Sequence, residues 1–248
     1  MKKTFLMGLL ALGLCATANA GVITLNAADY FEEQIENGKF LQDTSNLWQL
    51  GYLSGGVFTL FNYNENIRTP NEPQNNFTSF DFYKNSVYYG FGINRTDNDV
   101  SVFDGTVRKG EIYAHPGDTQ NGNVILRFLA PEDAVYELSS LFSNLHYGLV
   151  GLDISLNNSN GQSTLFSDSI QWETATYASS INLNKADFID FSINRHNGTW
   201  AGDSLSIGAS MTYQLQAAAV SEPATAFLLM LGMGAIAARR KSKPFCKK

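Results

Sequence analysis

The stretch Val124–Leu138 reads Val-Ile-Leu-Arg-Phe-Leu-Ala-Pro-Glu-Asp-Ala-Val-Tyr-Glu-Leu. Two short runs rich in β-branched and aromatic residues, Val124–Phe128 and Ala134–Leu138, flank Pro131-Glu132-Asp133. Each run is too short for a helix and suits a strand, and the proline with two acids between them suits a turn. The same pattern recurs outward in both directions. Val57–Phe61, Val87–Phe91, Leu149–Leu156, Phe188–Ile193 and Leu205–Ala209 read as further strands, the last with the apolar/polar alternation of a half-buried strand. Asp104-Gly105, Asn121-Gly122, Asn160-Gly161 and Asn197-Gly198 punctuate them as tight turns. Asp29–Ile35 is the one segment suited to a turn or two of helix. Many short strands with such turns predict an all-β chain with a single β-sandwich domain, jelly-roll-like in layout.

Both ends of the chain differ from this body. Met1-Lys2-Lys3, the apolar run Phe5–Leu14 and the small residues Ala18 and Ala20 have the three parts of a secretory signal. Residues 1–20 are therefore expected to be a signal peptide cleaved after Ala20, which removes Cys15. At the far end, Val220-Ser221-Glu222-Pro223 precedes an apolar run, Ala224–Ala238, and then Arg239-Arg240-Lys241. Fifteen helical residues span about 22 Å, a short crossing. The basic cluster would stay in the cytoplasm. The expected organisation is a signal peptide over 1–20, a sandwich over 21–219, a sorting signal with a transmembrane helix over 220–243 and a cytoplasmic tail over 244–248.

Setting the ends aside uncovers the character of the body. The whole chain has 17 basic and 23 acidic residues and a formal charge of −6. Nine basic and 22 acidic residues lie in 21–219, a balance of −13. Such a surface repels nucleic acid and anionic lipid, so no nucleic-acid partner is expected. Cys15 and Cys246, the two cysteines, both lie outside the body, which excludes a disulfide framework and a thiolate metal site there.

The tail, Val220 to about Lys243, resembles the PEP-CTERM sorting signal of Gram-negative bacteria, with Ser221 where that signature usually has proline. The resemblance implies an exosortase-type membrane protease as partner, attachment to the membrane through the helix before processing, and a final location at the cell envelope, the cell surface or outside the cell. Ser221, Glu222, Pro223, Arg239, Arg240 and Lys241 are the residues it assigns to sorting. The body resembles a sandwich domain common in PEP-CTERM proteins of bacterial envelopes. Ala27–Phe31, the Trp48-Gln49-Leu50-Gly51-Tyr52 core turn, Gly56–Leu60, His115-Pro116-Gly117, Ala130-Pro131 and Leu183–Phe191 carry that likeness. Phe128 stands where the pattern has tryptophan, and Ala186 where it has glycine. No catalytic role comes with the resemblance.

The search for chemistry gives little. His115, His146 and His196 share no metal-ligand spacing. No nucleophile elbow, phosphate loop or dinucleotide fingerprint is present. Asp187 and Asp190 would face opposite sides of a strand and make no obvious acid–base pair. The oxygen-rich loops Asp97-Asn98-Asp99 and Asp118–Asn123 match no EF-hand spacing and need no ion as turns. The cofactor expectation is none, with structural calcium as a minor alternative. Trp48 is expected in the core. Trp48, Trp172 and Trp200 are the tryptophans able to stack on a sugar, Trp200 first among them because it sits in the loop Asn197–Gly202. Trp200, His115 and Asp203 are the candidate ligand-binding residues. The expected function is a non-catalytic module for polysaccharide or a surface partner; the alternative is an extracellular carbohydrate-active enzyme with two carboxylates about 5 to 9 Å apart.

Overall fold

A computed structural model of the chain describes residues 21–34, 41–63, 79–86, 89–94, 96–117, 122–195 and 202–215. Residues 1–20, expected to be a signal peptide, Ser221, Glu222, Pro223, Arg239, Arg240 and Lys241, expected to direct sorting, and Trp200 lie outside them. Residues Val22–Gln214 make one compact unit.

The fold is all-β, a sandwich of two antiparallel sheets. The strands are β1 (Val22–Asn26), β2 (Trp48–Ser54), β3 (Val57–Leu60), β4 (Phe80–Ser86), β5 (Tyr89–Asn94), β6 (Val100–Val102), β7 (Gly105–Val107), β8 (Ile112–His115), β9 (Val124–Leu129), β10 (Ala134–Asn144), β11 (Val150–Asn158), β12 (Gly161–Ile170), β13 (Thr174–Leu183), β14 (Phe188–Arg195) and β15 (Leu205–Gln214). One sheet runs β13-β10-β15-β8-β5-β4, with β1 also on β15; the other runs β12-β11-β14-β9-β2-β3. From β8 to β11 and from β12 to β15, consecutive strands change sheets at every step. The helix α1 (Ala27–Gln34) follows β1 directly, and its start is capped by the Asn26 side chain, which accepts the Asp29 N–H at 3.1 Å.

Alternation along each strand fills the space between the sheets. Val124, Leu126 and Phe128 of β9 and Ile189, Phe191 and Ile193 of β14 point inward from one side. Tyr136, Leu138 and Phe142 of β10 and Ile207, Ala209 and Met211 of β15 meet them from the other. Phe142 and Phe191 touch across the layers with ring centroids 6.3 Å apart, and Trp48 lies 5.1 Å from Phe128. Trp48 is fully buried, as expected. A second apolar cluster forms on the outer side of the first sheet, where Phe80, Phe82 and Tyr113 are covered by Val100, Val102 and Val107 of the β6–β7 hairpin.

Two expectations need correction. Trp48–Tyr52 is not a core turn but most of β2, because Trp48 and Leu50 alternate into the core with Gln49 and Gly51 on the outer side. Of the expected strand Val87–Phe91, Tyr89–Phe91 open β5, and Val87 and Tyr88 lie outside the described residues. Asp187 precedes β14 and belongs to a turn, where its carboxylate accepts from the Asn184 backbone N–H at 2.8 Å. Strands β12 and β13 were not anticipated: β12 buries only Ile170, and the inward face of β13, with Ala175, Tyr177, Ile181 and Leu183, is broken by Ser179 and set among Thr, Ser and Asn.

Candidate functional site

Four connections meet at one end of the sandwich, and Asn144 at the end of β10 organises them. Its side-chain amide donates to the Gly148 carbonyl at 2.8 Å and the Ile170 carbonyl at 3.0 Å, while its Oδ1 accepts the His146 N–H at 2.8 Å. One side chain thus ties the β10–β11 loop to the end of β12. Gln171 adds a second tie between the same two connections, donating from Nε2 to the Tyr147 carbonyl at 2.9 Å. The approach to β15 joins through Gly148 N–H to Gly202 O and Leu145 N–H to Ser204 O, both 2.9 Å. The β6–β7 turn joins through Asp104 N–H to Leu145 O at 3.0 Å.

Aromatic rings crown this end. Trp172 is 61% exposed and Tyr147 49%. Their loops are neighbours through the Gln171 bond. Phe103 packs edge-on against the His146 ring at 4.6 Å, and Tyr147 packs on the same ring at 4.1 Å. Phe103 and Trp172 both have left-handed backbones, with φ of 52° and 59°. A bulky side chain rarely adopts that conformation, and such strain tends to collect at functional sites. An indole held in water by a strained turn gains nothing from the fold itself, because its apolar surface stays wet.

Beneath the rings lie polar groups with few partners. Asp203 is 1% exposed, and its Oδ2 has no hydrogen bond. Burial pushes its carboxyl up to about 6, and Arg195 opposes that rise. Gly148 makes room for it, since a side chain there would collide with the Asp203 carboxylate. His146 Nδ1 also lacks a hydrogen-bond partner, and burial lowers its pKa against the pull of Asp104. His115 is buried, with Nδ1 2.6 Å from the Pro116 carbonyl, and burial lowers it to about 4. His115 and His146 are near enough for the charge of one to disfavour charge on the other.

The structure therefore brings His115 and Asp203 to the same end of the fold, both beneath the surface. Tyr147 and Phe103 escaped the sequence reading, and His146 entered it only as a histidine without a metal-ligand spacing. Their signal is faint: adjacent rings at His146-Tyr147 before a glycine, in a loop of ordinary length.

Other acids are engaged elsewhere. Asp190 on the outer face of β14 is bound by Arg127, and the Asp187 carboxylate is held by Asn184. In the Asp97–Asp99 loop, Asp97 pairs with the Lys109 ammonium at 3.0 Å and Asp99 accepts the Lys109 N–H at 2.9 Å. Among the described residues no group of three or more His, Cys, Asp or Glu is placed to hold a metal ion.

No protein-family model matches the chain, and no curated protein matches it. Solved structures give distant likenesses. A carbohydrate binding module of family 29 is 18% identical over 47% of this chain and 76% of that one, with a TM-score of 0.29. The BiXyn10A CBM1 is 13% identical over 50% and 78%, with a TM-score of 0.30. The globular domain of the zebrafish complement 1qA protein is 16% identical over 36% and 68%, with a TM-score of 0.27. Likenesses of this size carry no argument about the ligand.

Proposed function

We propose that the sandwich, jelly-roll-like in layout, is a non-catalytic module that binds polysaccharide through the Trp172 and Tyr147 rings. The observation that carries this reading is Trp172, 61% exposed on a backbone at φ 59° and joined through its neighbour Gln171 to the loop of Tyr147. Flat sugar faces stack on such rings, and short polar side chains around them supply hydrogen bonds. The acidic body disfavours uronates and sulfated chains and leaves neutral glycans as the ligand class. Affinity electrophoresis of the body in gels containing neutral polysaccharides tests it. Retardation should appear and be lost in Trp172→Ala and in Tyr147→Ala, with the glycan recovered uncut. Retardation unchanged in both variants, or release of shortened glycan, would overturn the proposal.

The same reading places the chain outside the cytoplasm. The signal at 1–20 would export it, and Ser221-Glu222-Pro223 ahead of the short apolar segment would present an extended site to an exosortase-type protease. Proline fixes its own backbone and biases the residue before it toward an extended form, which suits a protease cleft.

A further inference from the structure

We infer that β13 is an interaction edge and that its partner is β13 of a second copy of the chain. The edge strands of the two sheets differ in how they discourage pairing. Strand β3 has four residues. The sequence of β4 carries Asp81 and Lys84, and its ladder to β5 shifts register. Strand β12 carries Asp168, and its ladder to β11 is broken by a bulge at Ile154/Ser155. Strand β13 has none of these devices. It is ten residues long, reads Thr-Ala-Thr-Tyr-Ala-Ser-Ser-Ile-Asn-Leu, has no charge and no proline, and pairs with β10 without a register shift. Natural sheets blunt exposed edges with charge, proline, bulges or shortness, so a long neutral one invites another strand. Its neutrality stands out in a body with a charge of −13.

The hydrogen-bond phase of the edge follows from one contact. Asn144 N–H donates to the Glu173 carbonyl at 3.2 Å. Hydrogen-bonded and non-bonded pairs alternate along an antiparallel ladder, so the odd residues of β13 bond to β10. Thr174, Thr176, Ala178, Ser180 and Asn182 then turn their N–H and C=O groups to the free side, where among the described residues no strand pairs with them. A twofold axis at Ala178 matches all five with a second copy: Ala178 faces Ala178, Thr176 faces Ser180 and Thr174 faces Asn182. About ten backbone hydrogen bonds would form. The side chains that meet are uncharged, and on the outward face they are small. At each end the register sets Glu173 of one copy opposite Leu183 of the other, beside the turn in which Asp133 accepts the Lys185 N–H. The occupant that meets the hydrogen-bond phase along its whole length without bringing a charged strand residue to the edge is this same strand reversed. Resting on the proposed function, the dimer would carry one aromatic platform at each end of the shared edge, about 40 Å apart at strand rise, and would bridge two glycan chains.

Site-directed cross-linking of the full chain tests the edge without any glycan. The body has no cysteine, and the unmodified chain, with Cys15 and Cys246, sets the background. Under mild oxidation Ala178→Cys should give a disulfide dimer at least tenfold more abundant than Thr174→Cys. The two Ala178 Cα atoms would lie about 5.5 Å apart, within disulfide reach, whereas the two Thr174 positions would lie about 27 Å apart. The double variant Thr176→Cys/Ser180→Cys should also cross-link. Adding Thr176→Lys and Ser180→Lys to Ala178→Cys should abolish the dimer band, because four ammonium groups would meet at the axis. Equal cross-linking at 174 and 178, or none with either Ala178→Cys or the double cysteine variant, would overturn the inference.

Discussion

Arg127 and Asp190 form a two-pronged ion pair on the outer face of the β9–β14 ladder, with Nε to Oδ1 at 2.6 Å and Nη2 to Oδ2 at 2.9 Å. The rings of Phe58 and Phe188 cover the guanidinium at 3.8 and 3.9 Å. Phe58 reaches it by lying across Gly51, where a Cβ would sit 2.5 Å from its ring. Burial raises the Asp190 carboxyl, and the two bonds from Arg127 pull it back. The pair is shielded from water, at 14% and 8% side-chain exposure, so removing one member strands the other. Asp190→Ala should cost about 3 kcal/mol in urea unfolding, whereas replacing both by apolar residues of similar size should cost far less. Equal losses in the single and double variants would contradict this account.

Ala186, in the turn between β13 and β14, has φ 72°. A left-handed backbone costs an L-residue about 1 kcal/mol that glycine avoids. Ala186→Gly should raise the unfolding free energy by about that amount; a loss of stability would mean that the methyl group packs usefully.

Trp172→Gly separates binding from folding. The strained φ predicts a gain of about 1 kcal/mol in stability, since the indole is mostly in water. The same change should abolish retardation by glycan. A variant that binds normally, or that unfolds more easily, would show that the ring serves the fold.

Two groups at the loop end carry opposite pH signatures. Asp203 has a raised carboxyl, about 6 against an ordinary value near 3.8, so its contribution favours the folded state at low pH and is lost as pH rises from about 4 to about 6. His115 is lowered to about 4 from 6.5, so its contribution is absent at low pH and gained as pH rises from about 4 to about 6.5. The two largely offset each other. Asp203→Asn should therefore gain stability relative to the native chain as pH rises through 4 to 6, and His115→Gln should lose it. Thermal unfolding of both variants between pH 4 and pH 7 reads the difference, and parallel profiles would refute it.

The sorting proposal has its own test. Glu222→Ala with Pro223→Ala should leave the chain membrane-bound at full length in its host, because the extended recognition segment is gone. Maturation to the same shortened form as the unsubstituted chain would reduce the tail to an ordinary anchor.

The sequence alone determined the fold class and the burial of Trp48. Strand runs such as Val124–Phe128 and turns such as Asn160-Gly161 are local signals, legible because side-chain alternation and backbone freedom act within a few residues. It also determined that no disulfide holds the body, which follows from where Cys15 and Cys246 lie. Strands β12 and β13 were not legible, since an edge strand that is mostly Ser, Thr, Asn and Gly, with few large apolar residues, resembles a loop until its partner is known. Only the tertiary structure decided which residues share the loop end. Phe103, Tyr147, Trp172 and Asp203 come from four connections far apart in the chain, and sheet order sets their meeting. It also decided that His115 and Asp203 lie beneath the surface while Trp172 stands in water. Burial of a polar side chain depends on what the rest of the chain lays over it, and that is a property of packing, not of spacing.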